Sequence, residues 1–182
     1  MNREGGRCHG RRPAGFALER IEVASVPIPF EKQLIGTDEA TIDDKGRIFV
    51  SKQKRERLGE TFVMGLGPIG CLVVYTEEAW MSEVSEFMEP RSTNLGRQQY
   101  SRLFSDRAAT DLKFDKQGRV VVPQDLRLAA GLKDKVRIIG CIDRMEIWSE
   151  EEWAVYEKDP DGYGNKRLNA FQQAERKMAG KE

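Results

Sequence analysis

The sequence predicts an α+β fold, mainly β, with short peripheral helices, built from one unit used twice. Three observations carry this. The stretch Thr41-Ile42-Asp43-Asp44-Lys45-Gly46-Arg47-Ile48-Phe49-Val50 is answered by Lys113-Phe114-Asp115-Lys116-Gln117-Gly118-Arg119-Val120-Val121-Val122. The offset is a constant 72 residues: 46 to 118, 47 to 119, and 55 to 127. Each copy is followed by short β-branched runs and ends in an aromatic-acidic segment, Tyr75-Thr76-Glu77-Glu78-Ala79-Trp80 and Trp148-Ser149-Glu150-Glu151-Glu152-Trp153, at an offset of 73 (75 to 148). A fixed period sustained over a whole segment means one structural unit repeated.

Each element has a local reason. An alternating run (37 to 43; 111 to 115) leads into Asp-x-x-Gly-Arg, where Asp accepts nearby backbone N–H groups and Gly supplies φ > 0. A β-branched strand follows (48 to 50; 120 to 122), so each turn reads as a β-hairpin. Short helices come next, Lys52 to Leu58 and Gln124 to Ala130, stopped by Gly59 and Gly131. Two further strands pair in each copy, Thr61–Met64 with Cys71–Tyr75 and Lys135–Ile139 with Met145–Trp148. Thr or Ser then caps a glutamate-rich closing helix, the carboxylates lying at the positive end of the helix dipole. The linker Pro90 to Asn94 breaks the first closing helix after Phe87. A helix from Arg97 to Ala109 puts Tyr100, Leu103, Phe104 and Ala108 on one face. Pro160, Gly162 and Gly164 end the second closing helix, and Leu168, Phe171, Glu175 and Met178 recur at helical spacing beyond. Packing within the chain and contact with a neighbouring subunit are both open for that last stretch, which is too short to be stable alone.

From about Gly36 to Tyr156 the ordered set of motifs resembles the MraZ family of bacterial transcriptional regulators. The set is Gly36 before Ile42-Asp43, the paired Asp43/Arg47 and Asp115/Arg119, Arg55-x-x-Leu58-Gly59, Gly118-Arg119-Val120-Val121-Val122-Pro123, and Ile147-Trp148 before Glu152-Trp153. The resemblance implies two tandem AbrB-like (SpoVT-AbrB) halves, over 37–84 and 109–152, forming a barrel-like core of double-psi or swapped-hairpin type. Residues 85–108 are then linker and helix, and 153–182 a helical tail. It also implies a ring-like homo-oligomer that binds double-stranded DNA at direct repeats upstream of the division and cell-wall gene cluster, its own gene included. Ser51 stands where the family usually has proline, kept as Pro123 in the second copy, and this predicts a looser first strand-to-helix corner.

Composition bounds the function. Thirty basic and thirty acidic residues give a net charge of zero, so no global field draws the chain to nucleic acid. The distribution is uneven. Lys45, Arg47, Lys52, Lys54, Arg55 and Arg57 cluster against Glu56, while acids concentrate in the closing helices. One basic edge suffices for DNA. No apolar run reaches membrane-spanning length and no apolar leader opens the chain, which predicts a cytoplasmic protein without membrane contact; the resemblance adds association with the nucleoid. Three cysteines lack paired spacing: Cys71 and Cys141 read as small core hydrophobes, and Cys8-His9 is too small a set for zinc. The only histidine is His9 and no nucleotide-binding or nucleophile motif occurs, so the expectation is no enzyme, no cofactor, no metal and no small-molecule substrate. Residues 1–33, rich in Gly, Arg and Pro, read as a disordered extension. They are either untranslated, with a non-AUG start near Leu34 because no Met intervenes between Met1 and Met64, or a basic arm adding non-specific attraction to DNA.

The candidate DNA-binding residues are Arg47, Lys45, Lys52, Arg55, Arg119 and Lys116, on turns shaped by Asp43, Gly46, Asp115 and Gly118. Pattern alone leaves two readings of each arginine. It pairs with its own aspartate across the turn, or its planar fork reads guanine or clamps a phosphate from a two-stranded ribbon. The resemblance favours DNA contact at Arg47, and favours it less at Arg119, which has fewer basic neighbours. Arg55 and Arg127 hold equivalent positions, which also fits a structural salt bridge. Trp80, Trp148 and Trp153 read as anchors of the closing helices. The other reading of the whole is an AbrB-like oligomeric interaction or antitoxin-type module with secondary DNA binding.

Overall fold

The computed structural model describes residues 28–164 and 166–180. In order the elements are β1 (Thr37–Thr41), β2 (Arg47–Phe49), α1 (Lys52–Leu58), β3 (Phe62–Leu66), β4 (Leu72–Thr76), α2 (Glu77–Met88) and α3 (Leu95–Ser105). Then follow β5 (Ala109–Leu112), β6 (Arg119–Val121), α4 (Gln124–Ala129), β7 (Lys135–Gly140), β8 (Arg144–Ser149), α5 (Glu150–Lys158) and α6 (Lys166–Met178). Residues 1–27, with Cys8 and His9, lie outside the described residues. Residues 28–33, assigned from sequence to the extension, include a 3-10 turn over Phe30–Lys32.

The architecture is α+β. Two hairpins, β3–β4 and β7–β8, stand side by side through β4–β8 and form the centre of a six-stranded sheet of order β1-β7-β8-β4-β3-β5. The outer places are filled by exchange: the first strand of each half joins the hairpin of the other, β1 on β7 and β5 on β3. The second strands pair with one another as a separate antiparallel ribbon, β2–β6.

This corrects the expectation of two local hairpins. The turn before β2 does close, with Asp43 N–H donating to Arg47 O at 3.0 Å and a single bridge between Ile42 and Ile48. There the two strands part. Ile48 and Val120 are both fully buried, and setting them opposite each other closes one apolar lid over the core. Period-two patterning fixes the face of a strand and leaves its partner open. The exchange is fastened at both ends of the ribbon, by Val50 N–H to Gly118 O (3.1 Å) and Val122 N–H to Gly46 O (2.9 Å).

The core divides by face. Leu72 and Val74 point inward with Phe62, Met64, Ile138, Met145 and Ile147 beneath the ribbon. Val73 and Tyr75 point outward with Trp148, Phe104 and Phe171 beneath the helices, where Trp80 and Trp153 are also packed. Covered on both faces, Leu72 to Tyr75 are all buried. Thr76 and Ser149 cap α2 and α5 as the sequence predicts, accepting from Ala79 N (3.0 Å) and Glu152 N (3.2 Å). Helix α3 is displaced from its predicted span: Asn94 caps it through Arg97 N (3.0 Å), it ends at Ser105, and Ala109 opens β5. Helix α6 packs within the chain, burying Phe171 and Ala174, and its backbone at Met178 leaves no room for a side chain at Gly96 of α3. Ser51 has nearly the same backbone as Pro123 (φ −58, ψ 149 against φ −51, ψ 141), so the first corner is not opened. The Ser51 hydroxyl donates to Asp38 Oδ2 at 2.8 Å.

Candidate nucleic-acid interface

The two Asp-x-x-Gly-Arg turns are built alike. Asp43 Oδ1 accepts from Lys45 N (3.0 Å) and Arg47 N (2.9 Å), and Asp115 Oδ1 from Gln117 N and Arg119 N, both at 2.9 Å. Gly46 (φ +75) and Gly118 (φ +78) occupy the left-handed region that a β-carbon disfavours. The Arg47 backbone N–H is the largest of the influences that lower the Asp43 carboxyl, with the guanidinium and Lys45 N–H adding to it. The Arg119 backbone N–H and guanidinium hold Asp115 down to about 2. Both carboxylates are therefore charged at neutral pH.

Each arginine returns over its own turn. Arg47 Nε and Nη2 meet Asp43 Oδ2 at 2.7 and 2.6 Å, and Arg119 Nε and Nη2 meet Asp115 Oδ2 at 2.9 and 2.8 Å. The aspartate thus engages one edge of the fork, and Nη1 has no hydrogen-bond partner among the described residues. Such a fixed guanidinium loses little freedom when its other edge meets a ligand.

The exchanged ribbon places these arginines on one surface. Cross-strand partners are Arg47 with Val121 and Phe49 with Arg119. With Ile48 and Val120 facing the core, the outer face carries Arg47, Phe49, Arg119 and Val121. Lys45 and Lys116 are exposed on the adjoining turns, and neither has an ion-pair partner among the described residues. Lys45, Arg47, Arg119 and Lys116, drawn from both halves, therefore lie along the ribbon and its two turns, interspersed with Asp43, Asp44 and Asp115. The exposed apolar pair, Phe49 and Val121, was not singled out from sequence. Its signal was the alternation along Arg47-Ile48-Phe49-Val50.

The basic run of α1 does not act as one face. Lys52 is exposed and pairs with Glu56 at 3.6 Å. Lys54 is buried, paired to Asp38 at 3.0 Å. Arg57 donates to Gln33 O. Arg55 donates from Nε to Val50 O (3.0 Å) and lies against Gly118, where an added β-carbon would stand 2.7 Å from Cζ. Arg127 lies against Gly46 in the same way, at 2.8 Å, and its Nε is buried without a partner. Both arginines support a turn of the opposite half, and neither forms, among the described residues, the salt bridge that their equivalence suggested. Cys71 is buried in the outer core and Cys141 half-buried. Burial, with Glu146 nearby, raises both thiols, Cys141 to about 11. No group of three or more metal-ligating side chains occurs among the described residues.

A family model described as "MraZ protein, putative antitoxin-like" matches residues 34–100 and 107–178. Among similar proteins, one from Ligilactobacillus salivarius (strain UCC118), named Transcriptional regulator MraZ, is 40% identical over 116 residues, 64% of this chain and 80% of its own. Another of that name, from Thermoanaerobacter sp. (strain X514), is 38% identical over 128 residues, 70% of this chain and 89% of its own. A third, from Lachnoclostridium phytofermentans, is 42% identical over 112 residues, 62% and 78% of the two chains.

Proposed function

The chain belongs to the MraZ family, and we propose that it is a transcriptional regulator that binds double-stranded DNA through the outer face of the β2–β6 ribbon. The observation that carries this is the exchange itself, which sets Arg47 and Arg119 on one surface with Lys45 and Lys116 at its margins. A two-stranded ribbon fits the major groove, and an aspartate-braced guanidinium can donate two bonds to guanine O6 and N7. In this reading Arg47 and Arg119 face base edges and Lys45, Lys116 and Lys52 face phosphates. Arg55 shapes the second turn, with its outer amino groups toward the backbone.

One ribbon makes few base contacts, each worth about 1–3 kcal/mol. Specific retention at physiological salt then needs several linked subunits on repeated sites. A homo-oligomer on direct repeats upstream of its own gene, in the division and cell-wall cluster, meets that need, and heterologous contacts that close into a ring suit direct repeats. No helix among the described residues is long and apolar enough to cross a membrane. DNA-protection mapping on the upstream region of the gene tests the proposal. Repeated short protected segments are expected, whereas uniform weak protection favours the second reading. That reading, an oligomeric antitoxin-type module with secondary DNA binding, draws on the antitoxin-like description of the family.

A further inference from the structure

Phe49 and Val121 are each 54% exposed on the ribbon face that also carries Arg47 and Arg119, and Phe49 lines a shallow groove with Glu39, Thr41, Lys135 and Glu150. The core side of the ribbon is closed by Ile48 and Val120, and Phe49 and Val121 face away from it. Their placement is regular: each of the two outward-facing cross-strand pairs joins one arginine to one apolar side chain, Arg47 to Val121 and Arg119 to Phe49.

Against phosphate an apolar group has no use. In the major groove the edge of a base pair offers one apolar group, the C5 methyl of thymine. Ribbon strands lie roughly 4.8 Å apart, so both fit a groove about 12 Å wide with the outer-face side chains toward the bases. Glu39 and Glu150, on the neighbouring strand and helix, are held by Arg137 at 3.8 and 2.7 Å and so oppose the approach of a polyanion less than free carboxylates would. We propose that Phe49 reads thymine by packing its ring on the C5 methyl, beside a guanine read by the arginines, with Val121 making the smaller equivalent contact. This rests on the ribbon being the DNA surface and adds the base class that its apolar residues select.

The test replaces each thymine of the protected duplex in turn by deoxyuridine, which removes only the methyl, and titrates the full chain at two salt concentrations. For the wild type, substitution at one or two positions is expected to weaken binding roughly fourfold per methyl, equally at both salts because the contact is apolar. Phe49→Ala should bind thymine and uridine duplexes alike at those positions, and Phe49→Leu should keep part of the difference. Indifference of the wild type at every position, or full sensitivity retained by Phe49→Ala, overturns the proposal. So does a change in sedimenting mass in Phe49→Ala with no change in uridine sensitivity, which assigns the ring to a subunit contact. Failure of the underlying reading looks different: Arg47→Ala would then still bind the duplex, whereas a flat uridine series with Arg47→Ala inactive removes only the thymine contact.

Discussion

The guanidinium of Arg55 lies against Gly118, the turn glycine of the opposite half, so closely that a β-carbon there would stand 2.7 Å from both Cζ and Nε. Arg127 and Gly46 repeat the arrangement at 2.8 Å. The helix of each half thus braces the turn that presents the arginine of the other. Gly46 and Gly118 answer two demands at once, a positive φ and a bare surface for a guanidinium.

Gly118→Ala should therefore destabilise by more than the roughly 1 kcal/mol expected for an alanine forced to positive φ alone. A total near 2–3 kcal/mol is expected, because Arg55 must also move. In a double-mutant cycle by urea unfolding, Gly118→Ala with Arg55→Ala should cost less than the sum of the two single changes. Simple additivity would show that the close approach contributes nothing.

Lys54 and Lys52 should separate sharply. Asp38→Ala leaves the Lys54 ammonium, only 3% exposed, without its carboxylate, and should cost on the order of 3 kcal/mol in unfolding free energy. Lys52→Ala, at the surface, should stay within about 0.5 kcal/mol of wild type. Equal effects would contradict the buried placement of Lys54.

The turns also set an acid response. Asp43 and Asp115 are more acidic folded than unfolded, so each adds stability above the unfolded carboxyl value near 4, and that contribution is lost as pH falls through the folded value, about 2 for Asp115. Thermal midpoints should drop across this window, and Asp115→Asn should drop less steeply. An unchanged slope in Asp115→Asn would assign the acid sensitivity to other carboxylates.

Much of this was legible in the sequence, and what was not has identifiable causes. The 72-residue period, the Asp-x-x-Gly-Arg turns, the Thr76 and Ser149 caps and the helix-ending glycines are local features, and local chemistry decides them. The strand exchange was not legible in the residues themselves, because Ile48 is equally well buried beside Ile42 or beside Val120 and only closure over the core selects the second. The burial of Lys54 was hidden by its charge. One signal was present: Lys54 lies 72 residues before Leu126, a fully buried core residue, so the repeat itself placed it inward. Of the candidate residues, the paired arginines were found from the turns. Phe49 and Val121 were passed over as ordinary strand residues, since their exposure follows from the ribbon and not from the turn.

Positioning and reading should separate in binding. Lys52→Ala and Lys116→Ala are expected to weaken matched and scrambled duplexes alike and to lower the salt slope by about one each. Arg47→Lys keeps the charge and loses the two-pronged donor, so preference for the matched duplex should fall more than overall affinity. Equal losses on both duplexes would make Arg47 a phosphate clamp.

The ribbon as the DNA surface is tested most directly by the double variant Arg47→Ala, Arg119→Ala, titrated against the protected upstream duplex and its scrambled counterpart beside the wild type. The two ion pairs removed are surface pairs worth about 0–1 kcal/mol each, so thermal stability and oligomer size should change little. The expected result is that preference for the protected duplex disappears while the variant remains folded and assembled. Wild-type affinity and an unchanged protection pattern in that variant would contradict it and place the DNA on another face.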